Sequence, residues 1–245
     1  MSADTTRLSG ISSMATRQVL AALAREAIAA VGTELALESV GGVEAERRVA
    51  AGEALDLVFL ARGALDRLQA AGHVATGGIV DLMRSDTWVA VRAGAPVPAV
   101  ADEAQVREAV LSARTIGYST GPSGTYLTGL FEAWGIRERI EPRLVRARPG
   151  VPVGALIAAG EVELGFQQRS ELVGLEGVHA IGPLPEAIQH TTVFAGAVCA
   201  TSRHPGAARR LLEFLASPRA DAVKQAHGMG PARVPCRPLP GCKTP

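Results

Sequence analysis

Apolar positions along the first third of the chain switch between two periods, and each switch marks a new element. Residues 8–12 form a short apolar run that predicts a strand. Residues 14–31 follow with Leu20, Leu23, Ala27 and Val31 at helical spacing on one face. Residues 33–40 set Leu35, Leu37 and Val40 against polar neighbours, the alternation of a half-buried strand. After the Gly41-Gly42 turn, a helix is predicted over 43–51, a buried strand over 55–60 and a third helix over 63–71. Strands and helices alternating over short connections predict a parallel sheet covered on both faces.

A second series begins beyond the glycine turn at 77–78. It opens with a strand at 86–91 and a proline-broken stretch at 95–98. Helices are predicted at 102–113, 124–134 and 151–159, and strands at 115–118, 143–145 and 163–166. Residues 178–181 lead into Gly182-Pro183-Leu184-Pro185, and 191–199 reads as a strand. Two helices follow, 205–216 and 218–227, the first with Ala208, Leu211, Leu212 and Leu215 as its buried stripe. There is no repeat of solenoid period, so the two α/β series read as two lobes of similar construction. Ligands of open α/β sheets lie beyond the carboxyl ends of the strands. The loops expected to carry a site are therefore 10–14, 40–43, 61–63, 119–126, 146–153 and 167–170.

Composition narrows the chemistry. Hydrophobic residues make up 47% of the chain and aromatic residues only 4%, poor material for a stacking surface. The balance of 25 basic against 24 acidic residues, a net charge of +1 and no long basic run exclude nucleic acid and anionic membranes as expected partners. The N-terminal stretch lacks the basic region and apolar run of a secretory signal. No apolar span reaches the roughly 18 residues of a transmembrane helix. As written the chain reads as cytoplasmic; an exported chain with its signal removed reads the same and would be periplasmic. Cys199 lies in the apolar run 193–201 as a small buried hydrophobe, while Cys236 and Cys242 sit in a proline-rich tail and would pair if oxidised. The histidines are scattered and the cysteines lack ligand spacing, so no metal or cofactor is expected.

The most informative stretch is residues 115–134, where a short strand enters Gly-Pro-Ser-Gly-Thr and then an amphipathic helix. That order aims helix N-terminal amides and neighbouring hydroxyls at whatever lies beyond the strand, a cradle for a small anion that needs no lysine. Ser123 or Thr125 would alternatively serve only as the helix cap.

Several segments together resemble the molybdate-binding type of periplasmic solute-binding protein. They are Ser12-Ser13 before the first helix, residues 44–59 with Ala-Gly-Glu-Ala-Leu-Asp-Leu, residues 151–166 with Ala-Ala-Gly-Glu-Val-Glu-Leu-Gly-Phe, and Leu-Leu-Glu-Phe-Leu-Ala-Ser-Pro at 211–218. The resemblance spans roughly residues 7–229 and implies a two-lobed α/β fold of the class II periplasmic-binding type, each lobe a mostly parallel sheet flanked by helices. It implies that 1–86 plus 192–245 form lobe 1, that 87–191 form lobe 2, and that the ligand sits between them. It also implies an ABC permease as partner if the chain is exported. In that family a serine after strand 1 and another after strand 2 hold the oxyanion. Ser12 or Ser13 matches the first, whereas Val40-Gly41-Gly42-Val43 offers no hydroxyl for the second. Phe166-Gln167-Gln168 stands where the family has a tyrosine. Gly-Pro-Ser-Gly-Thr-Tyr looks like the aconitate-isomerase branch of the same family, whose reaction would move an allylic proton on a small polycarboxylate.

The candidate ligand residues are then Ser12, Ser13, Gly42, Arg62, Ser123, Gly124, Thr125, Tyr126, Arg148, Gln167 and Gln168. Ser12 and Ser13 either donate hydroxyls to an anion or cap the first helix. Arg62, at the end of the buried strand, would grip a carboxylate bidentately or form a solvent-exposed ion pair, and Arg148, preceding Pro-Gly before a helix, would turn its head to the cleft. Tyr126 would donate a phenolic hydrogen bond or only pack, and strand alternation predicts that one of Gln167 and Gln168 reaches the cleft. No side chain announces itself as a general base, Glu46 and His190 being near the loops only by position. Three readings result: a module that binds a small oxyanion or di- or tricarboxylate, an isomerase of such a carboxylate, and a sensor domain partnering a transcription regulator, the last without a helix-turn-helix or basic patch in its favour. The missing hydroxyls after strand 2 and the arginines at strand ends move the expected ligand from molybdate toward an organic carboxylate.

Overall fold

The computed structural model describes residues 5–233. β1 (Thr6–Ser13) runs through a 3-10 turn at Met14–Thr16 into α1 (Arg17–Val31), which buries Val19, Leu20, Leu23 and Ala27 and ends on the left-handed Gly32. β2 (Thr33–Val40), α2 (Gly42–Ala50), β3 (Leu57–Ala61) and α3 (Arg62–Ala70) complete the first βα series. β4 (Val80–Arg92) is a long strand, after which come α4 (Glu103–Ser112), β5 (Ile116–Tyr118), α5 (Pro122–Ala133), α6 (Arg137–Ile140) and β6 (Leu144–Arg146). The second series closes with α7 (Val153–Ala159), β7 (Leu164–Gln168), the short α8 (Arg169–Leu172) and β8 (Val178–Pro183). β9 (Thr191–Val198), α9 (Pro205–Ala216), α10 (Asp221–Ala226) and the two-residue β10 (Gly230–Pro231) end the described chain.

The sheet order is β2-β1-β3-β9-β4-β7-β5-β6, with β8 and β10 also on β4. Each lobe is built on a parallel triplet, β2-β1-β3 in one and β7-β5-β6 in the other. The antiparallel strands β4 and β9 join the triplets. β4 pairs with β9 from Val80 to Asp86 and with β7 from Thr87 to Val91, so one strand serves both lobes. The return crossing runs beside it: the Thr87 amide and hydroxyl each donate to the His190 carbonyl at 3.0 Å, and the Thr191 hydroxyl donates to Asp86 at 2.6 Å. Sequence periodicity predicts only residues 86–91 as this strand, because its alternation of buried faces is broken at Leu82 and Met83, beside the irregular register against β9 between Asp81 and Met83.

Apolar residues cover both faces of each half-sheet. In lobe 1, Leu8, Leu23, Phe59, Phe194 and Leu211 pack on one face and Ile11, Val58, Leu60, Leu65 and Ala197 on the other. In lobe 2, Ile116, Leu127, Phe131 and Phe166 oppose Ala90, Val153, Ile157 and Leu172. Such three-layer packing leaves backbone and polar side chains open to a ligand at the strand ends. No helix among the described residues is long and apolar enough to cross a membrane. Cys236 and Cys242 lie outside the described residues.

Candidate functional site

The carboxyl ends of β1, β2, β3, β5, β6 and β7 face one cleft of about 670 Å³. Each strand there turns into a helix, so the walls carry the N-terminal turns at Ser13, Gly41–Val43, Ala61–Gly63, Gly121–Ser123, Val151–Pro152 and Gln168. The caps of α2, α3, α5 and α7 are Gly41, Ala61, Gly121 and Pro152, and none of them bonds its helix through a side chain. Amides left free by absent caps are available to a ligand. In α5 the Thr125 amide is the first to bond back, to the Gly121 carbonyl at 3.1 Å, and Pro122 has no N–H. The Ser123 and Gly124 amides therefore precede the helix's own ladder. Proline suits this first position because the hydrogen it lacks would have had no partner. The two rims meet across the cleft, where a side chain added at Gly41 would stand 3.6 Å from Pro149.

Buried polar groups without partners gather at the same place. The hydroxyl of Ser13 and the amide oxygen of Gln168 have no hydrogen bond, although these residues are only 8% and 2% exposed. Leaving such groups unsatisfied is costly, and in native proteins it commonly marks a ligand or water position. Gln168 donates its other amide end to Thr192 Oγ1 at 2.7 Å, and Gln167 accepts from the Gly154 amide at 3.1 Å. The Ser123 hydroxyl lies 3.2 Å from that of Ser119. Tyr126 donates its phenol to the Ile188 carbonyl at 2.9 Å, and its ring stacks on His190 with centroids 4.7 Å apart. Burial lowers the pKa of His190, which favours the neutral ring, and leaves its Nε2 without a partner.

Charge in the cleft is mostly spoken for. Arg62 donates to Asp66 at 2.8 Å and to Asp81 at 2.9 Å. Arg67 holds Glu46 through two bonds of 2.8 Å. Arg148, also on the wall, makes no ion pair or side-chain hydrogen bond among the described residues, so its guanidinium fork is free. Glu171, on α8 where that helix packs against the 3-10 turn of lobe 1, also borders the cleft. Burial pushes its carboxyl up to about 7, opposed by a hydrogen bond from the Gln167 side chain, and no cation offsets the burial. An acid that titrates near neutrality in a cleft can both accept and return a proton.

Of the residues expected from sequence, Ser13, Gly42, Arg62, Ser123, Thr125, Tyr126, Arg148, Gln167 and Gln168 border this cleft. Two do not. Ser12 is fully buried with its hydroxyl 2.8 Å from that of Ser39, because alternation in β1 turns it to the side opposite Ser13. Gly124 lies beneath the helix, where a β-carbon would come within 1.7 Å of the Ser119 carbonyl oxygen; the glycine lets the turn close. Neither Ser123 nor Thr125 caps α5, which begins earlier than predicted, with Gly121 as its cap. The phenol of Tyr126 is engaged by protein, so only its ring is offered to the cleft. Both Gln167 and Gln168 reach the wall, since β7 ends there and the chain turns into α8. Glu46 is neutralised by Arg67. Glu171 was missed because a glutamate in Gln-Gln-Arg-Ser-Glu reads as a solvated polar turn; only the packing of α8 against the other lobe makes it unusual. Among the described residues, no three His, Cys, Asp or Glu side chains gather as a metal site would require.

Two α/β lobes joined by paired crossing strands, with a cleft between them at the strand ends, give the architecture of a periplasmic-binding-type protein. The chain belongs to the bacterial extracellular solute-binding protein family, whose pattern it matches over residues 8–230. It is 38% identical over 191 residues to an aconitate isomerase from Pseudomonas sp., covering 78% of this chain and 72% of that protein. Its fold is that of the periplasmic molybdate-binding protein of Azotobacter vinelandii, with a TM-score of 0.75 at 18% identity, covering 91% of this chain and 98% of the other. The sulfate-binding protein of Mycobacterium tuberculosis is similar to the same degree, with a TM-score of 0.75 at 18% identity, covering 92% and 87% of the two chains. The molybdate-type resemblance read from the sequence is thus upheld, and so is the two-lobed fold.

Proposed function

We propose that the protein binds a small organic di- or tricarboxylate in the cleft between its lobes. The observation that carries this reading is the make-up of the wall: helix N-terminal amides, the Arg148 guanidinium, which has no ion-pair partner among the described residues, and apolar surface from Leu60, Val151 and Phe194. A bare tetrahedral oxyanion uses only amides and hydroxyls. A carbon skeleton with separate carboxylates uses the amides, the fork of Arg148 and the apolar wall together. The volume of about 670 Å³ lies in the range of sites for small organic molecules. A thermal-shift panel of molybdate, tungstate, sulfate, citrate and both aconitates tests it, because a ligand that binds only the folded state raises the melting temperature. Gains with the carboxylates are expected; a gain confined to molybdate and tungstate would overturn the assignment.

A second reading, that the bound carboxylate undergoes an allylic proton shift, is favoured by Glu171, an acid in the cleft with its pKa raised to about 7. The name of the Pseudomonas relative points the same way. In this reading the amides steady negative charge as it develops on the substrate, and one acid–base group moves the proton. Deuterium from D₂O entering the carbon-bound positions of an aconitate is the expected result. Binding without incorporation leaves pure capture, with delivery of the anion to an ABC permease.

A further inference from the structure

Building on the isomerisation reading, we propose that Glu171 is the catalytic residue that carries the proton, with Gln167 positioning its carboxyl. Four titratable side chains border the cleft besides the arginines, and the structure disposes of the other three. Glu46 is clamped by both arms of Arg67. Tyr126 has given its phenolic hydrogen to the Ile188 carbonyl. His190 lies flat on Tyr126 with Nε2 covered by protein, and burial weakens it as a base. Among the described residues Glu171 has no cationic partner, and its carboxyl keeps the freedom to change protonation state.

Gln167 explains how the carboxyl is held. It is 1% exposed, and its amide oxygen is fixed by the Gly154 amide at the N-terminus of α7. The opposite end of that amide, its NH₂ group, faces Glu171. The side chain thus links the start of α7 to the proton-carrying group. Ser13, on the lobe 1 side, adds an unpartnered hydroxyl that would donate to a substrate oxygen, while the free amide oxygen of Gln168, an acceptor, would take a water or a ligand O–H.

The step balances without a co-reactant. The Glu171 carboxylate takes a proton from the saturated carbon that lies between a carboxylate and the double bond. The electron pair left behind forms the new double bond, and the old π pair moves to the far carbon of the allyl unit. That carbon takes a proton back from Glu171, whose carboxylic acid exchanges with solvent in part of the turnovers, so that deuterium from D₂O enters the product. Negative charge passes transiently onto a substrate carboxylate, where helix N-terminal amides and Arg148 are placed to receive it. One proton moves by two carbons, one double bond shifts, and the enzyme returns to its starting form.

The test uses trans-aconitate with the full chain, its wild type and Glu171→Gln, reading binding by calorimetry and turnover with deuterium uptake by NMR. Glutamine should leave the dissociation constant within about threefold and cut turnover by about 100-fold or more, the usual weight of a general acid–base group. Turnover of Glu171→Gln within tenfold of wild type would overturn the role of Glu171 while the isomerase reading stands. Wild type that binds trans-aconitate with neither turnover nor deuterium uptake would remove the isomerase reading and the Glu171 role together. Should the glutamine variant not fold, Glu171→Asp takes its place, and unchanged turnover with an unchanged pH profile would equally overturn the proposal. Gln167→Ala should lower kcat and shift the pH profile; a loss of stability alone, with profile and kcat intact, would reduce Gln167 to a structural residue.

Discussion

Replacing Glu171 with glutamine keeps the size and shape of the side chain and deletes its ionisation. The carboxyl titrates at about 7 in the fold against 4.5 for an unperturbed glutamate, with burial as the leading cause. Between those two values the native state keeps a proton that the unfolded chain has released, so stability falls as pH rises. The slope reaches about 1.4 kcal/mol per pH unit at most. Below the unfolded value both states are protonated and the group costs nothing. Above the folded value both are ionised and the full penalty stands, at most about 3 kcal/mol and less as water entering the open cleft screens the charge. Glutamine never ionises. The variant should therefore match wild type near pH 4.5 and exceed it by about 1–3 kcal/mol at pH 8. Urea unfolding of both proteins from pH 4.5 to 8.5 measures the difference, in which titration of His190 and the other shared groups cancels. A constant difference across this range would show that the carboxyl is solvated, and the account of its raised pKa would fail.

Other substitutions separate binding groups from scaffold. Arg148→Ala should weaken a tricarboxylate about 10- to 100-fold by calorimetry, the loss of one charge-assisted contact. Arg62→Ala should weaken it far less, because that guanidinium already serves Asp66 and Asp81; equal losses would refute the distinction. Ser13→Ala removes a hydroxyl that has no partner in the ligand-free protein, so melting temperature should hold or rise while affinity falls roughly three- to tenfold. A melting temperature lowered by several degrees would mean that the hydroxyl is satisfied without ligand. Gly124→Ala forces a β-carbon against the Ser119 carbonyl and should cost about 1–3 kcal/mol in chemical unfolding, with affinity lost as the α5 turn is displaced. Unaltered stability would mean that the turn is not as tightly closed as the structure has it.

How much of this was legible in the sequence depended on whether a feature was local. Helices α1 and α9 declare themselves because their buried stripes recur at helical spacing, and the parallel triplets follow from short strand–helix connections. β4 is half hidden because a bulge against β9 between Asp81 and Met83 breaks its alternation, a feature of strand pairing that no window along the chain contains. The cleft loops were legible as strand ends, which is why Ser13, Arg148 and Gln168 were found. Which of two adjacent serines faces the cleft depended on the register of β1 against β2, set by pairing across the sheet. The state of the arginines depended on partners such as Asp81, distant in sequence and adjacent in space. Glu171 was illegible for the same reason: its chemistry comes from burial where α8 meets lobe 1.

The central claim is that the inter-lobe cleft holds a small carboxylate through α5 and Arg148. A crystal structure of the protein with trans-aconitate or citrate tests it most directly. The account predicts one carboxylate at the Ser123 amide, a second on the Arg148 guanidinium, and a ligand oxygen within hydrogen-bond distance of the Ser13 hydroxyl. A ligand bound outside the cleft, or a cleft that admits only a tetrahedral oxyanion and leaves Arg148 untouched, would contradict it.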